Sequence, residues 1–240
     1  MKKESKTPNK QATTSHSSDW NWIARVLHFS DSALPVGAYA HSFGLEGVCQ
    51  LGFVRDKETL RTFLNRDVVH ALAQVDLPLV AHAHAAALQK NKALLTELDQ
   101  LSFALRPTRQ LREAASRIGK QQLKIYQATW ARIEDSYSDL PHLQSPIILG
   151  IILAEEGAPV TAALWSLAYQ TFSALLQAML KLLPIGPSAT QELLHDAMTH
   201  IQSHFDDVLA LNQEDIGSYN PIWDIAASRH EHAPARLFIS

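Results

Sequence analysis

Twelve histidines and a single cysteine are the first places to look for chemistry in this 240-residue chain. Histidine can ligate a metal or move a proton near neutral pH, so spacing decides what a pair can do. His82 and His84 form an H-x-H pair, but on a regular helix they point about 200° apart, too far for one metal. His230 and His232 share that defect if helical, although an extended backbone near the chain end removes it. His200, His204 and Asp207 follow steps of four and three, within about 60° of arc on one helix face. Ile201, Phe205 and Val208 fall on another face, so the triplet would look into solvent. It founds one alternative, a helical metal-dependent hydrolase with Glu231 as base. The simpler reading is a polar, histidine-rich helix face, because no fourth ligand or supporting shell shows in the sequence.

Cys49 lies among apolar neighbours, where a lone cysteine packs more often than it attacks. Without a second cysteine, neither an intramolecular disulfide nor a cysteine-based zinc site can form within one chain. Gly37, Gly44 and Gly47 lack the spacing and the preceding strand of a phosphate-binding loop, and no serine stands in a nucleophile elbow. The expectation is a protein without catalytic residues, bound metal or cofactor.

The elements that would position these residues read as helices throughout. Leu94, Leu98, Leu101 and Leu105 share one helix face, as do Leu60, Phe63, Leu64 and Val68 after Asp56, an N-cap residue type. Ser188-Ala-Thr-Gln191 has capping-box spacing ahead of Leu193, Leu194 and Met198. Pro107, Pro159 and Pro187 stand where helices start, and Gly52, Gly157 and Gly186 where helices or turns end. The run Ile147–Leu153 is ambiguous by period, but Ala154, Glu155 and Glu156 tilt it to helix. Alternating strand patterns, internal repeats and linkers are absent. The prediction is an all-α, single-domain bundle of roughly eight to ten helices over residues 19–240, after a disordered tail at 1–18.

Apolar residues make up 46% and charged residues 19%, a globular balance, and the net charge of −3 gives no basic field for nucleic acid. Val160–Leu180 is uncharged and long enough to span a bilayer, but its Thr, Ser, Tyr and Gln residues favour a helix buried in protein, so no membrane partner is expected. The lone cysteine fits a reducing cytosol, and a cytoplasmic location is expected.

Two segments stand out. Residues 30–46, SDSALPVGAYAHSFGLE, break after a helix holding Ile23, Val26 and Leu27; a second helix is expected near Ala38, with Tyr39, His41, Ser42, Phe43 and Glu46 at its head. Composition alone permits an ordinary helix corner with a buried aromatic. Residues 221–240 close on Leu237-Phe238-Ile239-Ser240, placing large apolar side chains where chains usually fray. Such a tail either folds back on its own core or awaits another surface.

These blocks, with DLPL at 76–79 and KLLPIG at 181–186, resemble the urease accessory protein UreF family in order and spacing across residues 20–240. Departures are Pro187-Ser188-Ala189, where the family usually runs on with Gln and Thr, and Lys181, where Arg is common. The resemblance implies a non-enzymatic, all-α homodimer. It would bridge a UreD/UreH-type protein and the nickel-carrying UreG-type GTPase, and the assembly would deliver nickel to apo-urease. It also implies that Tyr39, with His41, Ser42, Phe43, Gly44, Leu45 and Glu46, lies on the dimer and GTPase-facing side. The closing segment, including His230, Glu231, Arg236, Leu237, Phe238 and Ile239, corresponds to the tail that orders against the UreD-type protein.

Overall fold

Asp56 accepts a hydrogen bond from the Thr59 amide at 2.8 Å, while the Thr59 hydroxyl accepts one from the Asp56 amide at 3.1 Å. This reciprocal cap starts the longest helical run in the computed structural model, which describes residues 20–37, 44–130, 135–218 and 220–230. The run passes unbroken through Lys57–Phe63, a π turn at Leu64–Val68, Val69–Ala71, a second π turn at Leu72–Asp76, and Leu77–Leu88. Together these form α3 (57–88). The other helices are α1 Asn21–Ser30, α2 Leu45–Gln50, α4 Lys92–Ala104, α5 Arg109–Trp130, α6 Ser145–Glu155, α7 Val160–Leu182, α8 Pro187–Gln202, α9 Phe205–Ala210 and α10 Pro221–His230. No strand occurs among the described residues, and the ten helices match the all-α expectation.

The core is built around α6. Every residue from Pro146 to Ala154 is buried, so the ambiguous run at 147–153 is a helix that is apolar all round because it is surrounded. Its neighbours are the last third of α3, α5, α7 and α4. Gly150 permits the closest approach: a Cβ there would stand 2.8 Å from the Val80 carbonyl oxygen. The long uncharged stretch is α7, packed against α1, α2, α3, α6 and α8. Among the described residues no helix is long and apolar enough to cross a membrane.

Several local expectations shift. In α4 the buried line is Leu95, Leu98, Asp99 and Ser102, with Leu94, Leu101 and Leu105 flanking it, half-buried. The cause is Asp99, fully buried, whose carboxylate accepts from the amides of His142 (2.6 Å), Leu143 (3.2 Å) and Gln144 (2.7 Å) and so fixes the loop that opens α6. In α1 the inward residue is Phe29, whereas Leu27 is 68% exposed. The capping box at Ser188 does not form. α8 starts two residues earlier than a Ser188 cap would set, at Pro187, with Gly186 as N-cap and no side-chain cap. Pro187 thus sits at the first helical position, where its missing N–H costs nothing.

α1 is anchored by a buried polar cluster. Tyr126 donates to Glu156, which also accepts from Arg25 Nε at 3.0 Å, and the Arg25 guanidinium lies 4.4 Å from the centroid of the Trp130 ring. Phe29 packs beside Tyr126 and Trp130, and Ser30 bonds Ser166 at 2.8 Å. The chain therefore enters the turn at 31–37 from a fixed point.

Candidate partner-binding site

The two unusual blocks of the sequence meet. Gly44, at φ +85°, caps the start of α2, a backbone conformation that L side chains rarely adopt. A Cβ on Gly44 would come within 2.9 Å of Ala227 Cβ and 3.1 Å of Trp223 Nε1, and one on Gly47 within 2.3 Å of the Ala226 carbonyl oxygen. Two glycines one turn apart thus let α2 lie almost backbone to backbone on α10. Residues about 180 positions apart in the chain form one corner.

α10 is started by local chemistry. Asn220 Oδ1 accepts from the Trp223 amide at 3.4 Å, Pro221 takes the first helical position, and Asp224 lies in the first turn. Trp223 stacks edge-on against Phe63 of α3 with ring centroids 5.5 Å apart. Gly217 donates to the Gln74 carbonyl at 3.0 Å, tying the approach to α10 onto the second π turn.

Behind the corner lies a cavity of about 210 Å³, bounded by the second π turn of α3, residues 105–118, α7 and the inner side of α10. Its walls are mainly apolar, including Leu72, Val75, Leu111, Ile118, Leu167 and Trp223. Arg106 and Asp76 form an ion pair of 2.5 Å on one wall, and the Arg106 Nε is buried with no hydrogen-bond partner among the described residues. Asp224 faces the same space, and burial raises its pKa above the ordinary carboxylate value.

Of the residues singled out by sequence, Tyr39, His41, Ser42 and Phe43 lie outside the described residues, as do Glu231, Arg236, Leu237, Phe238 and Ile239, and only the backbone of His230 is described, as the last residue of α10. Glu46 is buried in the first turn of α2. Burial, and then the charge of Glu46, push the Cys49 thiol up to about 11; its Sγ lies 4.0 Å from Met179 Sδ. That is the packing role expected of it.

The histidines serve the fold. His84 Nε2 donates to the Ala158 carbonyl at 2.8 Å and His82 Nε2 to the Leu211 carbonyl at 2.9 Å, on different sides of α3 as their spacing implied. The regular helix face required by His200, His204 and Asp207 is interrupted: α8 ends at Gln202, and His204 is the N-cap of α9. The His200 and His204 rings lie 5.5 Å apart, but no group of three or more metal-ligating side chains gathers among the described residues.

Sequence reasoning missed the glycine seat. Gly44-x-x-Gly47 facing Ala226-Ala227 is a small-on-small pattern, and only the fold pairs its halves. The Arg106–Asp76 pair and the cavity carried no local signal at all.

The sequence model of the UreF family matches residues 54–198. The chain is similar to urease accessory protein UreF of Marinomonas sp. (strain MWYL1), 29% identical over 91% of this chain and 94% of that protein. It is 30% identical to the UreF of Xanthobacter autotrophicus over 87% of each chain, and 30% identical to that of Paenarthrobacter aurescens over 90% of this chain and 96% of that one. With a helical core, a corner made by its two distinctive blocks, and this likeness over nearly its whole length, the chain belongs to the UreF family of urease accessory proteins.

Proposed function

We propose that this chain is a non-catalytic adaptor in cytoplasmic urease maturation, a homodimer that bridges a UreD/UreH-type protein and the UreG-type GTPase while nickel is delivered to apo-urease. In this reading the 39–46 block faces the GTPase and the dimer partner through Tyr39, His41, Ser42 and Phe43, with Glu46 buried at the start of α2. The segment from His230 through Glu231, Arg236, Leu237, Phe238 and Ile239 docks on the UreD-type protein. The observation that carries the reading is the α2–α10 contact, since α2 continues the first block and α10 leads directly into the second. A partner that orders one block therefore acts on the seat of the other. Such coupling shifts the GTPase between nucleotide states only by the difference in its affinity for the two.

Co-purification with the products of a urease operon tests this directly. Deleting residues 234–240 is expected to abolish capture of the UreD-type protein and leave the helical dimer intact. Tyr39→Ala is expected to weaken GTPase capture by about 2 kcal/mol or more with little change in melting temperature. Full amide protection of residues 230–240 in the free dimer would overturn the docking role of the tail.

A further inference from the structure

Arg109, Glu113, Arg117, Lys120 and Lys124 succeed one another at steps of four, four, three and four along α5. They fall within about 80° of arc and extend over about 22 Å of helix. All five are exposed. α5 carries Arg109, Arg112, Arg117, Lys120 and Lys124 against the single carboxylate of Glu113, a charge of +4, in a chain whose formal net charge is −3, so the remainder holds −7. The residues of α5 that line the cavity, Leu111, Ala115 and Ile118, project about 170° away from this stripe.

Elsewhere on the body, Lys90 apart, most cations are matched. Lys57 pairs with Glu192, Arg61 with Glu58 and Asp196, Arg66 with Asp67 and Lys92 with Asp139. On α5 Arg109 reaches Glu113 at 3.3 Å, whereas Arg117, Lys120 and Lys124 make no ion pair among the described residues. Like charges at Arg117–Lys120 and Lys120–Lys124 stand three and four residues apart, a spacing that weakens a helix rather than supports it. The stripe therefore works against the element that carries it, and folding does not account for it.

The geometry points to an electrostatic docking surface for an acidic protein face, with carboxylates set along about 10 Å to meet Arg117, Lys120 and Lys124. This rests on the adaptor reading and adds to it a third contact, on the side of α5 turned away from the cavity behind the α2–α10 corner. A protein face fits better than a polyanion. Glu113 sits inside the stripe and the rest of the chain is negative, so a nucleic acid backbone or an anionic bilayer would be repelled on both counts, whereas a protein can match the mixed pattern residue by residue.

The test is Arg117→Glu, Lys120→Glu and Lys124→Glu together in the full chain, titrated with the purified UreD-type protein, UreG-type GTPase and apo-urease at low and at physiological salt. The wild-type chain is expected to bind one of these with an affinity that falls as salt rises. The triple variant, with an unchanged melting temperature, is expected to lose about tenfold or more of that affinity, mostly in the association rate. Reversing Lys90 and Lys92 instead should leave it unchanged. Equal affinity of variant and wild type overturns the proposal, as does an equal loss from the Lys90 and Lys92 reversal, or a stripe-dependent affinity for RNA or anionic vesicles alone. A wild-type chain that binds none of the three proteins overturns the adaptor reading itself, and this proposal with it.

Discussion

Replacing Gly47 with alanine probes the seat of α10. The added methyl would stand 2.3 Å from the Ala226 carbonyl oxygen and 2.8 Å from its carbon. Ordinary contact is about 3.5 Å, so α10 must retreat by about 1 Å. Two effects oppose each other. Alanine in place of glycine favours the α2 helix by about 1 kcal/mol, while overpacking a well-filled contact costs about 1–3 kcal/mol. The obstacle is a main-chain oxygen, not the pliable end of a side chain, so the cost falls in the upper part of that range and wins by about 1–2 kcal/mol. α10 has ten residues, too few to persist alone in water, so the loss is taken up by α10 loosening. Trp223 then loses its edge-on contact with Phe63. Amide exchange across residues 221–230 is expected to accelerate about 5–30-fold. The melting temperature should fall by no more than about 4–8 °C, and capture of the UreD-type protein should weaken. Wild-type exchange rates at 221–230 in this variant would show that Gly47 does not seat α10, and the reasoning would be wrong.

Three further outcomes are expected. Asp99→Asn removes the charge that holds three backbone amides and leaves at least one amide facing a donor, which should cost about 3 kcal/mol and lower the melting temperature by roughly 6–12 °C. Burial holds the His84 pKa below its ordinary value of 6.5. The unfolded chain therefore takes up the proton first, and stability is full above that value and declines as pH falls through it; urea midpoints should show this decline, and His84→Gln should flatten it. Because burial pushes Cys49 from 9.0 up to about 11, iodoacetamide should modify the native thiol roughly a hundredfold more slowly than the urea-unfolded one at mildly alkaline pH.

The helices were legible because each long one carries its own signal. Asp56 caps α3, Pro159 and Pro187 stand at the starts of α7 and α8, and Leu60, Phe63, Leu64 and Val68 are all buried on one side. What local patterns could not carry is non-local. Leu27 has the right type for a core position but lies 68% exposed, because α1 turns Phe29 inward toward Tyr126 and Trp130 instead. Asp99 looks like a solvent residue until the loop at 141–145 arrives to donate to it from more than forty residues away. Ser188 had cap spacing, yet Gly186-Pro187 opened the helix first. The candidate site follows the same rule. Its blocks were conspicuous singly, but their contact depends on Gly47 meeting a main-chain carbonyl from the far end of the chain, and backbone-to-backbone proximity leaves almost no trace in side-chain type.

The two π turns of α3 each absorb one residue without adding to the rotation of the helix. Val69 N–H reaches back five residues to the Leu64 carbonyl, and Leu77 N–H to that of Leu72, so each turn houses one residue more than an α turn. Leu60, Leu64, Val68, Leu72 and Leu77 are all buried, although their steps of four, four, four and five would carry a plain α-helix about 260° around its axis. Each extra residue gives back about 100°, which returns Leu77 to within roughly 60° of Leu60. Deleting one residue from either π turn would therefore leave a regular i to i−4 ladder there and keep the segment 77–88 in phase. Deleting one from the regular stretch Lys57–Phe63 would instead swing the segment 77–88 through about 100°, drawing His84 off the Ala158 carbonyl and His82 off the Leu211 carbonyl. Along this helix the two π turns are the places where the chain can shorten by one residue without loss of register, and the regular turns are the places where it cannot.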